Sequence, residues 1–167
     1  MAHPTAQADQ VHAATTDARR RLTTIAAASG QHLTTTGDPT GWLAGQAARC
    51  LAALTGPGAR LCPHIGTSPH VVHAAVWAPG LLVCPTCTHL LRPTATEDRT
   101  CDRCRRTLTG LYPAMAALGP VLLTYGLCSP CQNATGLTAP RTPVEGAPPP
   151  RHHARPPRRH RRHPPRR

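Results

Sequence analysis

With 167 residues, 20 prolines, no phenylalanine and only Trp42, Trp77, Tyr112 and Tyr125 as aromatics, the chain cannot build a large conventional core. Its formal charge is +12, all 19 basic residues are arginine, and Ala, Pro, Thr and Arg are used heavily, as in a GC-rich coding bias. Nine arginines stand against one acid in residues 141–167, so +8 of the charge belongs to that tail and the high pI describes it rather than the rest.

The start, MAHPTAQADQ, has neither a basic nor an apolar signal region, and no run approaches the ~18 apolar residues of a membrane span. The expectation is a cytoplasmic protein with no membrane partner. In a reducing compartment, paired cysteines bind metal more readily than they form disulfides.

In chain order, Val11, Ala14, Ala18, Leu22 and Ile25 recur at steps of three and four, which predicts a helix over about 9–29 that Gly30 stops. A second helix is predicted over about 39–55. Asp38 would be its N-cap and Pro39 its first residue; Leu43, Ala47, Cys50, Leu51 and Leu54 line one face, and Gly56-Pro57-Gly58 ends it. The two are expected to pair as a helical hairpin within residues 1–59. Cys50 reads as a small buried hydrophobe, and Trp42 and Trp77 as core anchors rather than stacking platforms for bases. The clusters Arg19-Arg20-Arg21 and Arg103, Arg105, Arg106 read as solvated faces rather than phosphate contacts.

Residues 60–140 differ in kind. Val71 to Val83, turning at Pro79-Gly80, reads as one β-hairpin, and Leu111 to Leu127, turning at Gly119-Pro120, as another, although Ala114 to Leu118 also suits a helical turn. Cysteine pairs punctuate these stretches: Cys84-x-x-Cys87, Cys101-x-x-Cys104 and Cys128-x-x-Cys131. This spacing lets a tight turn aim two thiolates at one tetrahedral ion. Upstream, Cys62-Pro63-His64 adds a thiolate and an imidazole, which makes eight ligands in two sets of four. An iron–sulfur cluster and a thioredoxin-like redox motif suit the pattern less well, because the ligands form two spaced units, one with a histidine, and no βαβ pattern surrounds a single pair.

The order of ligand pair, hairpin, ligand pair occurs twice, as an internal duplication would leave it. Sequential sites follow: Cys62, His64, Cys84 and Cys87 for one ion, and Cys101, Cys104, Cys128 and Cys131 for the other. An interleaved arrangement, in which alternate pairs share an ion, is the alternative. His70, His73 and His89 rival His64 as the imidazole ligand. The segments CPTCTHLL, CDRCRRTL and GLCSPCQ resemble the knuckles of zinc-ribbon and treble-clef proteins, and 60–135 resembles small proteins of high-GC bacteria. The resemblance implies two structural Zn²⁺ ions and carries no activity with it. Thr88, Arg105 and Gln132 stand where such knuckles usually have glycine.

After Pro140 the composition is Pro, Arg and His without apolar periodicity, so 141–167 is expected to be a disordered basic tail. The fold class expected is a small metal-stabilised α+β protein with a helical hairpin, two zinc-ribbon-like hairpin units and that tail. No His-Glu-x-x-His, P-loop, Gly-x-Ser-x-Gly or dinucleotide fingerprint is present, nor the His-x-Glu of a zinc deaminase. The sequence therefore reads as a non-enzymatic zinc-binding adaptor. Seven thiolates and two divalent ions would bring 60–140 from +3 to neutral, leaving the tail as the place for nucleic-acid contact. A protein–protein module without a nucleic-acid role and a redox-sensing zinc–thiolate switch are the competing readings.

Overall fold

In the computed structural model of the chain, residues 4–31, 33, 40–136 and 144–145 are described. The predicted N-cap at Asp38-Pro39 lies outside them. So does the tail, apart from Val144–Glu145.

Helix α1 (Pro4–Ala28) begins earlier than its apolar period suggested, with proline in its first turn, where the missing N–H costs nothing. Helix α2 is Trp42–Thr55. Among the described residues the helices do not pack on each other as the expected hairpin would. Instead α1 lies on the sheet described below, its buried Ala18 clustering with Val71 and Leu122. Trp42 and Leu43 of α2 join a different cluster around Leu111, Tyr125 and Leu127, and the Trp42 and Tyr125 rings meet edge to face at 5.5 Å. The physical reason is supply. The strands offer broad apolar surface, whereas two alanine-rich helix faces offer each other little area. Val11, Ile25 and Leu51, assigned to buried faces by periodicity, are accordingly 40%, 42% and 65% exposed.

The strands are β1 (Arg60–Leu61), β2 (Val72–Ala75), β3 (Leu81–Leu82), β4 (Gly110–Leu118), β5 (Val121–Leu127) and β6 (Val144–Glu145). The second predicted hairpin forms as β4 and β5, antiparallel from Tyr112↔Leu127 to Leu118↔Val121. Its two-residue turn places Gly119 at φ 58, a value glycine adopts without a Cβ clash, and Pro120 second, where its fixed negative φ belongs. The alternative of a helical turn over 114–118 is thereby settled as strand.

The first predicted hairpin is largely replaced. The chain bends early, with the Ala78 N–H donating to Ala75 O, and only His73 and Val83 still pair across it. β2 instead runs parallel to β5, from Val72↔Val121 to Ala75↔Thr124, and β3 runs parallel to β1. The larger sheet has the order β2-β5-β4-β6. β5 lies between β2 and β4, and its near-continuous apolar run, with Leu122, Leu123, Tyr125, Gly126 and Leu127 buried, is what such a position demands.

Two 3₁₀ helices (Pro85–Leu91 and Glu97–Arg99) and helix α3 (Ser129–Thr135) complete the described chain. Trp77 acts as an anchor, as read from the sequence: its indole Nε1–H donates to Leu91 O at 2.9 Å, tying the bend after β2 to the first 3₁₀ helix.

Candidate metal centres

Each cysteine pair sits where a strand or turn ends. Cys62 follows β1, and because β1 pairs with β3 the Cys62 N–H donates to Leu82 O, which brings this cysteine beside Cys84. Cys84 then caps the Pro85–Leu91 helix, and Cys87 lies in its first turn. In the second unit Cys101 and Cys104 form a tight turn, with the Cys101 N–H donating to Arg106 O and the Arg105 N–H to Cys101 O. Cys128 directly follows β5 and caps α3, whose first turn carries Cys131.

The two units match atom for atom at one contact. The Cys84 N–H donates to the Cys62 sulfur at 3.2 Å, and the Cys128 N–H to the Cys101 sulfur at 3.3 Å. Amides aimed at sulfur suit thiolates rather than thiols, and the repetition agrees with the duplication read from ligand order.

Among the described residues, the donor atoms of Cys62, His64, Cys84 and Cys87 all lie within 4.8 Å of one another, and so do those of Cys101, Cys104, Cys128 and Cys131. The grouping is sequential, not interleaved. A tetrahedral ion with sulfurs at ~2.3 Å and a nitrogen at ~2.0 Å requires S···S edges near 3.8 Å and S···N edges near 3.5 Å. Cys104 Sγ and Cys128 Sγ are 3.7 Å apart, and His64 Nδ1 is 3.1 Å from Cys87 Sγ and 3.9 Å from Cys84 Sγ. The donor sets thus fit a metal ion in number, type and spacing. None of the cysteines is in a disulfide.

The rivals of His64 are elsewhere. His70 Nδ1 contacts Ser68 O, His73 is buried in β2, and His89 is exposed on the 3₁₀ helix. Cys50 is half-buried, with burial pushing its thiol up, and belongs to neither group.

Without an ion the thiols would be at odds with each other. The Thr86 hydroxyl, 3.4 Å from its sulfur, leads in bringing Cys84 down to about 6, while burial and the neighbouring sulfurs push Cys87 up to about 11. In the second group the Arg106 amide leads in lowering Cys104 to about 7, and burial raises Cys128 and Cys131. Four sulfur or nitrogen donors packed this closely cannot all be electron-rich unless a cation lies among them.

Two residues that support the second group carry no ligand signal in the sequence. Asp102 is buried. Its N–H donates to Gly126 O at 2.9 Å, and its carboxylate accepts the Gly126 N–H at 2.7 Å, clamping the 101–106 turn to β5. Burial raises its pKa, opposed by that amide. Asp102→Ala would leave the Gly126 N–H unpaired and is expected to cost about 1–3 kcal/mol. Asp102→Asn, whose amide oxygen can still accept, should cost less; thermal melts of the two variants check the order. Arg105 has φ 61 and is the only non-glycine residue with positive φ among those described. It directly follows Cys104, and its side chain reaches Asp102 at 3.8 Å. Arg105→Gly should leave the melting temperature nearly unchanged or higher, whereas β-branched Arg105→Val should cost at least about 1 kcal/mol more in the same left-handed conformation.

The arginine clusters are partly occupied by local pairing. Arg20 and Arg21 both bind Asp17, at 2.6 and 2.8 Å, and hold its carboxyl below the usual range. Arg103 donates to Cys131 O at 3.3 Å. Among the described residues no helix is long and apolar enough to cross a membrane.

No family model matches this chain, and comparisons with curated proteins and with solved structures likewise match nothing. The chemistry of the two groups therefore carries the functional reading by itself.

Proposed function

We propose that this chain is a non-enzymatic protein built on two structural zinc ions, with Cys62, His64, Cys84 and Cys87 holding one and Cys101, Cys104, Cys128 and Cys131 the other. The observation that carries the reading is the pair of groups in each of which four sulfur or nitrogen donors lie within 4.8 Å of one another. Seven thiolates and one imidazole suit zinc better than the hard, oxygen-seeking calcium or magnesium. When bound, zinc supplies a closed four-coordinate cross-link, with no position left for water or substrate. The arrangement of turn, β-hairpin and helix-borne cysteine pair in the second unit supports the treble-clef variant of the zinc-knuckle resemblance.

The test is metal content of the full chain purified under reducing conditions. Two zinc ions per chain are expected, falling to one in Cys101→Ser. A zinc-free chain that melts cooperatively would overturn the reading.

As an adaptor, the chain would present its partners with two different surfaces. The metal-loaded segment 60–140 is formally neutral, while residues 141–167 carry +8. That imbalance favours nucleic acid, met through phosphate by the arginines of the tail, over a protein partner. Binding should then weaken steeply with salt and be lost when 141–167 is removed. Salt-insensitive capture of a protein that needs only 60–140 would reverse the preference.

A further inference from the structure

The two centres differ at the one ligand each exposes. In the first the exposed ligand is His64, and the three cysteines, Cys62, Cys84 and Cys87, are only 3%, 6% and 6% exposed. In the second it is Cys104, a sulfur, while Cys101, Cys128 and Cys131 are covered. The Cys104 sulfur lies 3.7 Å from that of Cys128, and the exposed Arg105 and Arg106 follow it in the chain. An accessible sulfur in an electropositive setting with a second sulfur in reach is the arrangement found where thiolates are oxidised.

We propose that the second centre is a site of oxidative modification, in which hydrogen peroxide or another two-electron oxidant attacks Cys104 and Cys128 then closes a disulfide with it. The proposal rests on the zinc reading above and adds which centre yields and through which atoms. In the first step the Cys104 thiolate attacks one peroxide oxygen. An S–O bond forms, the O–O bond breaks, and the departing hydroxide takes up a proton. In the second step the Cys128 thiolate attacks the sulfenic sulfur; an S–S bond forms, the S–O bond breaks, and a second hydroxide leaves and is protonated. One peroxide is reduced by two electrons to two waters, and two thiolates are oxidised to a disulfide. The sulfurs need only approach from 3.7 Å to the ~2.05 Å of the bond. The second centre then keeps only Cys101 and Cys131 as thiolates. The first presents imidazole to solvent, which such oxidants leave intact, and keeps its ligands.

The test treats the zinc-loaded full chain with about one equivalent of hydrogen peroxide, following zinc with a chromogenic chelator and mapping thiols by mass spectrometry after alkylation. Metal content is measured first, and a chain that carries no zinc fails the zinc reading itself. Given two ions, one should be released, together with a Cys104–Cys128 disulfide and reduced Cys62, Cys84 and Cys87. Cys104→His gives the second centre the same exposed corner as the first and should slow release at least about tenfold, since the accessible thiolate is gone. His64→Cys should make the first centre release as well. Joint release of both ions from the unaltered chain, oxidation beginning among Cys62, Cys84 and Cys87, or a Cys104–Cys101 bond would overturn the assignment. Should either variant misfold, the disulfide map of the unaltered chain still decides.

Discussion

A strong chelator should unfold residues 60–135 outright, with loss of far-ultraviolet ellipticity, of the cooperative melt and of amide protection in β2 and β5. The size of the effect follows from what the cores are made of. One buried cluster consists of Cys62, Ala75, Val83, Cys84, Cys87 and Leu91, and another of Cys101, Leu111, Tyr125, Leu127, Cys128 and Cys131. Half the buried residues in each cluster are thus the candidate ligands themselves, so removing the metal removes the centre of each core. Structural zinc contributes about 10–16 kcal/mol of apparent binding free energy, against net stabilities of about 5–15 kcal/mol for ordinary domains. Few large side chains are present to make good the loss. Retention of a cooperative melt in excess chelator would defeat the argument.

Cys128→Ser should lower the metal content from two ions to one and, in addition, loosen the first unit. Cys128 directly follows β5, the strand that pairs with β4 on one side and with β2 on the other. β2 leads through the bend at 75–78 to β3, whose pairing with β1 sets Cys62 beside Cys84. Without the second ion β5 loses its anchor at Cys128, and the four-residue β2 loses the partner that spans its length. Hydrogen exchange should therefore show lost protection at Val72 and Val76, whose N–H groups donate to Pro120 O and Thr124 O, as well as at Thr124 and Gly126. Full protection of β2 in this variant would mean that the two units are energetically independent. By comparison, His64→Ala removes the exposed corner of the first group and leaves three buried sulfurs, so its ion should be held more weakly while the second is held as before.

Much of the candidate site is legible in the sequence because its signals are local. Two ligands separated by two residues, or by one as in Cys62-Pro63-His64, are brought together by a turn of a few residues whatever the rest of the chain does. The β4–β5 hairpin is local in the same sense, closed by Gly119-Pro120. Asp102 escaped notice as a support because an aspartate inside a Cys-x-x-Cys carries no pattern, and Arg105 stood out only as a departure from glycine, with no sign of its approach to Asp102. Their roles exist only once β5 lies against that turn.

Where apolar periodicity failed, it failed for want of a partner. It predicted both helices but not what they lie on, since the stripe that would suit a helical hairpin equally suits a sheet. By itself, then, the sequence determined that eight donors occur as four short-range pairs, that a hairpin follows Cys104, and that charge collects in the tail. Which pairs join, that His64 rather than His70, His73 or His89 completes the first group, and that β2 runs parallel to β5 were decided only by the tertiary structure. Turns are set by neighbouring residues, whereas these choices depend on strand pairings such as β1 with β3 and β2 with β5. Such pairings gain their energy from segments about 20 to 50 residues apart and compete with other partners until the whole sheet is assembled.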